Sequence, residues 1–158
     1  MPIRLRNGAK KQYESRPAKA ITENWFWVLR DAKIIDAEYL EDNFTEEELS
    51  QAGIYTKNTH EVRTSSFACG SATVEACGSA TVEACGSATV EAYGSATVEA
   101  YGSATVEAYG SATVEAYENS YVEDCTGNIR PESDYAIVKD YYNHKIYIKK
   151  RKFEIIEV

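Results

Sequence analysis

A seven-residue unit, Gly-Ser-Ala-Thr-Val-Glu-Ala, occurs six times without error, beginning at Gly70, Gly78, Gly86, Gly94, Gly102 and Gly110. One spacer residue separates the copies: Cys at 69, 77 and 85, then Tyr at 93, 101, 109 and 117. The period is therefore eight. A unit this short cannot bury its apolar side alone and has to stack on its neighbours, so the array decides what the chain can fold into.

Within a unit, Ala72, Val74 and Ala76 alternate with Thr73 and Glu75. Apolar-polar alternation with period two is the mark of a strand with one buried face. A helix fails on period. Eight residues advance it by roughly 800°, about 80° past two turns, so the valines would spiral around its surface. A glycine in every unit adds about 1 kcal/mol of helix cost each time. A hairpin meander would need identical turns, and Tyr-Gly and Cys-Gly are not the Asn-Gly or Asp-Gly pairs those turns favour. A β-solenoid uses the same corner at each step, where Gly allows positive φ.

The expected fold is thus all-β: a β-solenoid (β-helix) with two 8-residue strands, 16 residues, per coil. The small interior side chains suit two thin sheets packed face to face. A triangular coil of 24 residues would need bulkier filling. Residues sixteen apart then stack roughly 4.8 Å apart. Thr73, Thr89 and Thr105 form one row, and Thr81, Thr97 and Thr113 the row on the opposite face. Glu75, Glu91 and Glu107 stack on one face, Glu83, Glu99 and Glu115 on the other. Tyr93 stacks on Tyr109 and Tyr101 on Tyr117. Cys69 sits with Cys85, and Cys77 lies on the other edge.

The array does not fill the chain of 158 residues. Residues 1–19, with Pro2 and Pro17, read as a basic arm or linker. Residues 20–61 read as a partly helical N-terminal cap: either a helix from about Thr22 or a strand through Trp25–Leu29, with Trp25 and Trp27 covering the open sheet edge. Thr45 and Glu48 have the spacing of a capping box, and Gly53 closes that short helix. Residues 62–141 form the solenoid. Glu118–Cys125 and Asp134–Tyr141 keep the repeat's phase, and Thr126–Ser133 reads as a loosened corner or bulge. Residues 142–158 form a C-terminal β cap: a turn at Asn143-His144-Lys145, then a hairpin whose Lys-rich edge discourages strand addition.

Charge is unevenly placed. The net charge is −8, yet residues 1–20 carry six bases against Glu14, while residues 64–124 carry only acids. An acidic body argues against nucleic acid along the rod. No run approaches the ~18 apolar residues of a membrane span. The first residues lack the apolar core of a signal peptide, so the cytoplasm is the default expectation, with reduced thiols.

Catalytic signatures are absent: the sequence holds no P-loop, GxGxxG, GxSxG or HExxH. His60 and His144 both fall in polar stretches that read as turns, and Cys-x7-Cys-x7-Cys is no zinc pattern. No catalytic, cofactor or metal residue is therefore expected. The Glu rows would repel by about 1 kcal/mol per contact in water, which Ca²⁺ could relieve, but the glycine-aspartate nonapeptide of calcium-binding β-rolls is missing.

Glu-Ala-Tyr-Gly-Ser-Ala-Thr-Val, around Tyr93, resembles the Ala-Gly-Tyr-Gly-Ser-Thr-x-Thr octapeptide of bacterial ice-nucleation proteins. The resemblance covers residues 69–117 and implies a flat solenoid of sixteen residues per coil with a Tyr row. It departs where the water-ordering Thr-x-Thr becomes Thr-x-Glu. The expected function is a non-enzymatic structural or interaction module, a capped rod serving as spacer or display scaffold, with protein partners or self-association through its edges. The alternative is an ice-binding or ice-nucleating solenoid.

Overall fold

A computed structural model describes residues 36–150 and 152–158. It shows an all-β solenoid preceded by two short helices, α1 (Ala37–Asn43) and α2 (Glu46–Gln51). The basic arm, the helix or strand expected after Thr22, and the placement of Trp25 and Trp27 lie outside the described residues.

Each repeat contributes one four-residue strand: β4 (Thr73–Ala76), β5 (Thr81–Ala84), β6 (Thr89–Ala92), β7 (Thr97–Ala100), β8 (Thr105–Ala108) and β9 (Thr113–Ala116). Strands from alternate repeats pair in parallel at an offset of sixteen, as in Thr73↔Thr89 and Thr81↔Thr97. Each residue therefore meets its own kind one coil away: Val74↔Val90, Glu75↔Glu91, Ala76↔Ala92. The two stacks face each other across an interior of Ala and Val, and Ala72, Val74 and Ala76 are fully buried like their counterparts in every unit through Val106 and Ala108. Small residues at all three inward positions let the sheets approach closely with interior-like packing.

The corner between strands is a four-residue turn closed by the alanine N–H on the spacer carbonyl, as in Ala88 to Cys85 at 3.2 Å. Gly86 and Gly102 show why its second position is glycine. Their φ values are 63° and 62°, which L side chains rarely adopt. A Cβ on Gly102 would also sit 3.1 Å from the Gly86 nitrogen one coil below. Corners are bonded between coils too, with Ser103 N–H donating to the Gly86 carbonyl at 2.9 Å.

The stacking begins before residue 62. β1 (Ile54–Tyr55) pairs with β3 (Ser66–Ala68), and β2 (Thr59–Val62) pairs with β4. These first pairings are shorter than sixteen residues: Ile54↔Phe67 and Thr59↔Thr73. His60 lies in β2 opposite Val74, not in a turn as the sequence suggested. Its ring packs 4.5 Å from that of Tyr55, so an aromatic ring fills a position that the repeat gives to valine. Above β1 and β3, Leu40 of α1 and Leu49 of α2 form a separate apolar cluster with Ile54, Phe67 and Cys69. Both helices are capped as their sequences prescribe. The Asp36 carboxylate accepts from Tyr39 N–H, and Thr45 and Glu48 form the complete capping box.

The far end is uneven. Among the described residues, one sheet has five strands and stops at β9; the other has eight and continues through β10 (Tyr121–Asp124), β11 (Ile137–Asp140), β12 (Lys145–Lys150) and β13 (Lys152–Glu157). The coil from Tyr121 to Ile137 keeps its length of sixteen, but its second half forms only the bridge Ala116↔Pro131 in place of a strand. This is the loosened corner expected at 126–133. The loop lays Ile129 and Pro131 over the overhanging sheet, and the Arg130 guanidinium stacks 3.8 Å above the buried Tyr147 ring. Coverage ends there, and Ile155 on the final strand is 55% exposed.

Asp124 sets that loop. It stands where the repeat has alanine and is fully buried. Its carboxylate accepts from Thr126 N–H and Oγ1 at 2.7 Å each, Gly127 N–H at 3.1 Å and Ile129 N–H at 3.0 Å. Ser120 also replaces a repeat alanine, but its buried hydroxyl has no partner among the described residues. Restoring the repeat residue should therefore act oppositely at the two sites. Asp124→Ala strands four donors and should destabilise by about 3 kcal/mol, whereas Ser120→Ala should be neutral or stabilising by up to ~1 kcal/mol. Urea melts of the two variants check this, and equal effects would contradict the assigned role of Asp124. Coil length has its own check. Deleting Gly78–Tyr93 removes one whole coil and should leave a cooperative thermal melt, while deleting Gly78–Cys85 swaps the faces on which the two caps sit and should abolish it.

Candidate interaction surfaces

The outward positions repeat as faithfully as the core. One face carries Thr73, Thr89 and Thr105 in register, with Glu75, Glu91 and Glu107 beside them. The opposite face carries Thr81, Thr97 and Thr113 with Glu83, Glu99 and Glu115. Beyond β8 the first face changes: Tyr121 follows the Thr row, Glu123 extends the Glu row, and Lys139 ends it.

In-register pairing sets like carboxylates about 4.8 Å apart, a repulsive arrangement. The spacer tyrosines answer it. Each phenol donates to the glutamate two residues earlier: Tyr93 to Glu91 at 2.5 Å, Tyr101 to Glu99 at 2.7 Å, Tyr109 to Glu107 at 2.7 Å and Tyr117 to Glu115 at 2.6 Å. Charge-assisted bonds of this kind are about twice as strong as neutral ones. The rings themselves stack in two pairs. Tyr93 and Tyr109 lie 5.2 Å apart and 8° from parallel, and Tyr101 and Tyr117 lie 4.9 Å apart and 4° from parallel. Both pairs fall within the distance range of favourable aromatic contacts.

The sequence placed these residues in rows. It did not show that the phenols and carboxylates bond, although the Glu-x-Tyr spacing carries that signal. On a strand, residues two apart share a face, and a tyrosine at the corner reaches back along it. At the C-terminal end the motif is altered: the Tyr121 and Tyr141 hydroxyls both reach Glu123, at 3.2 and 3.3 Å, and the Lys139 ammonium lies 4.6 Å from the Tyr141 ring centroid.

Thiols and phenols share both edges of the rod. Cys69, Cys85, Tyr101 and Tyr117 follow one another on one edge, and Cys77, Tyr93, Tyr109, Cys125 and Tyr141 on the other. All four cysteines carry free thiols. No helix among the described residues is long and apolar enough to cross a membrane.

Scans of protein-family models, curated proteins and solved structures each found no match.

The phenol–carboxylate bond raises the tyrosine pKa. Bonding to Glu91 pushes Tyr93 up to about 12, and bonding to Glu115 does the same for Tyr117. Tyr109 is raised further by Glu107, while Tyr121 is raised chiefly by burial and then by Glu123. Because the folded pKa lies above the unfolded value of ~10, the native state holds protons that the unfolded chain has released. This contribution to stability is fully present below pH ~10 and fades as pH rises through the folded values. Ultraviolet titration should show these phenols ionising later in the folded protein than in urea, and Glu107→Gln should lower the Tyr109 value. A single transition at the unfolded value in the native protein would contradict the bonding scheme.

Proposed function

We propose that the chain is a non-enzymatic structural or interaction module, a capped repeat rod that acts as spacer or display scaffold. One observation carries the proposal. Two outer faces repeat Thr and Glu in strict register, and both edges add stacked, glutamate-bonded tyrosines. A periodic surface offers the same contact at each coil, and its length is set by the number of units. A catalytic site usually depends on different groups converging from different elements. The acidic rows favour basic or neutral protein surfaces over the phosphates of nucleic acid.

A second proposal, a water-ordering solenoid, draws on the flat in-register rows of Thr73–Thr89–Thr105 and Thr81–Thr97–Thr113. The likeness to ice-nucleation octapeptides and to their Tyr row belongs with it. The neighbouring row weighs against it, because a charged glutamate stands where a second threonine row would order water.

Sedimentation velocity over a concentration series, with and without Ca²⁺, separates the main possibilities. A spacer or display rod should remain an elongated monomer in both conditions. Growth with concentration would replace that proposal by self-assembly through the edges, and growth with Ca²⁺ alone would assign the Glu rows to cation-bridged contact. For water ordering, droplet freezing at or above the buffer's own nucleation temperature decides. No shift at high protein concentration removes the second proposal.

A further inference from the structure

We propose that Cys69 and Cys85 are a modification site, forming a disulfide that links the corner beneath the helical cap to the next coil by exchange with a small disulfide such as oxidised glutathione. The two residues directly follow the register pair Ala68↔Ala84. Cys85 N–H also donates to the Ala68 carbonyl at 2.9 Å, so the in-register stacking extends to the cysteines. Neighbouring strands lie about 4.8 Å apart, inside the ~4.4–6.8 Å Cα separation that a disulfide spans. Cys85 packs against the apolar cluster that contains Cys69.

The other two thiols have no such partner. Cys77 has Tyr93 one coil above it, and Cys125 has Tyr109 one coil below. Two thiols of the four are thus poised for each other, and the remaining pair provides an internal control.

Surroundings divide the roles within the pair. Cys69 is 4% exposed and belongs to the cluster of Leu40, Leu49, Ile54 and Phe67, while Cys85 is half-buried against that cluster. The hydrogen bond from Cys69 lowers the Cys85 pKa, and the same bond together with burial raises that of Cys69. Cys85 is the more acidic thiol and the more reachable sulfur, so it attacks first. Its Sγ bonds to one sulfur of the small disulfide, whose S–S bond breaks and releases a thiolate. Cys69 then loses its proton and attacks the Cys85 Sγ, forming the Cys69–Cys85 bond and expelling the second small thiolate. The two protons end on the two small thiols. One disulfide has been reduced and one formed.

The staple would act where the repeat gives least help. Across β3 and β5, Ser66 pairs with Val82 and Phe67 with Glu83, so that register is not enforced by identical neighbours as it is in the repeat. A bond from Cys69 to Cys85 would fix it covalently at the corner on which the helical cap packs.

The test uses the reduced full chain in a glutathione redox buffer, followed by alkylation, unfolding, Glu-specific digestion and mass spectrometry. Cleavage after Glu61, Glu75, Glu83 and Glu91 puts Cys69, Cys77 and Cys85 in separate peptides. The expected product links peptide 62–75 to peptide 84–91, with Cys77 and Cys125 alkylated. Closing this loop should raise the Tm by about 5–10 °C. Cys85→Ser should abolish both effects, and the Cys77→Ser/Cys125→Ser double variant should keep them. A glutathione adduct persisting on Cys85, or a linked pair other than Cys69 and Cys85, would overturn the proposal.

Discussion

Parallel pairing at an offset of sixteen makes every residue of the seven-residue unit meet its own kind, and the rest of the structure follows from that. Stacking is favourable for Val74 on Val90 and for Tyr93 on Tyr109, and it is unfavourable for Glu91 on Glu107. One constraint therefore both builds the rod and strains it. The spacer tyrosine answers both sides. Its ring adds a stacked aromatic contact at the edge, and its hydroxyl donates to the glutamate that stacking would otherwise leave beside another charge. Glycine at the corner is fixed by the same geometry, because a Cβ there would press on the corner below.

A structure that adds identical coils needs a reason to stop. At the N-terminal end, α1 and α2 place Leu40 and Leu49 over Phe67, and residues unlike the repeat fill the interior. At the other end, polar residues take over apolar or glycine positions. Glu118 stands in a glycine position with φ 51°, and its carboxylate accepts from Gly102 N–H at 2.6 Å. Asp124 and Asp140 take alanine positions in register, both fully buried. Asp124 gathers the loop donors, while Asp140 accepts from Asn143 N–H and Nδ2 at 2.8 and 2.7 Å to fix the following turn. A buried carboxylate is tolerated only where donors surround it. That requirement turns the chain out of its coil, so one sheet stops at β9 while the other continues through β10 and β11.

The rod was legible in the sequence because its two signals, period two within a unit and period eight between units, survive without any long-range information. The coil length, the Thr and Glu rows and the closeness of Cys69 to Cys85 all follow from them. The ends were legible only in outline. His60 was read as part of a turn because nothing local shows that it lies opposite Val74 in an irregular first coil. The role of Asp124 was not legible, since its four donors come from the loop that it organises. The helix α2 was readable from its capping box, a local signal. The contacts of its Leu49 were not, because they involve residues of β1 and β3.

The central claim is that the chain is a stack of sixteen-residue coils whose length grows with the number of repeats. Small-angle X-ray scattering tests it directly, on the protein and on a version lengthened by six further units within the array. Each sixteen residues should extend the long axis by about 4.8 Å, so the lengthened rod should gain roughly 14 Å with its cross-section unchanged. A gain near 10 Å would mean twenty-four residues per coil. A thicker cross-section, or the scattering of a disordered insert, would contradict the solenoid itself.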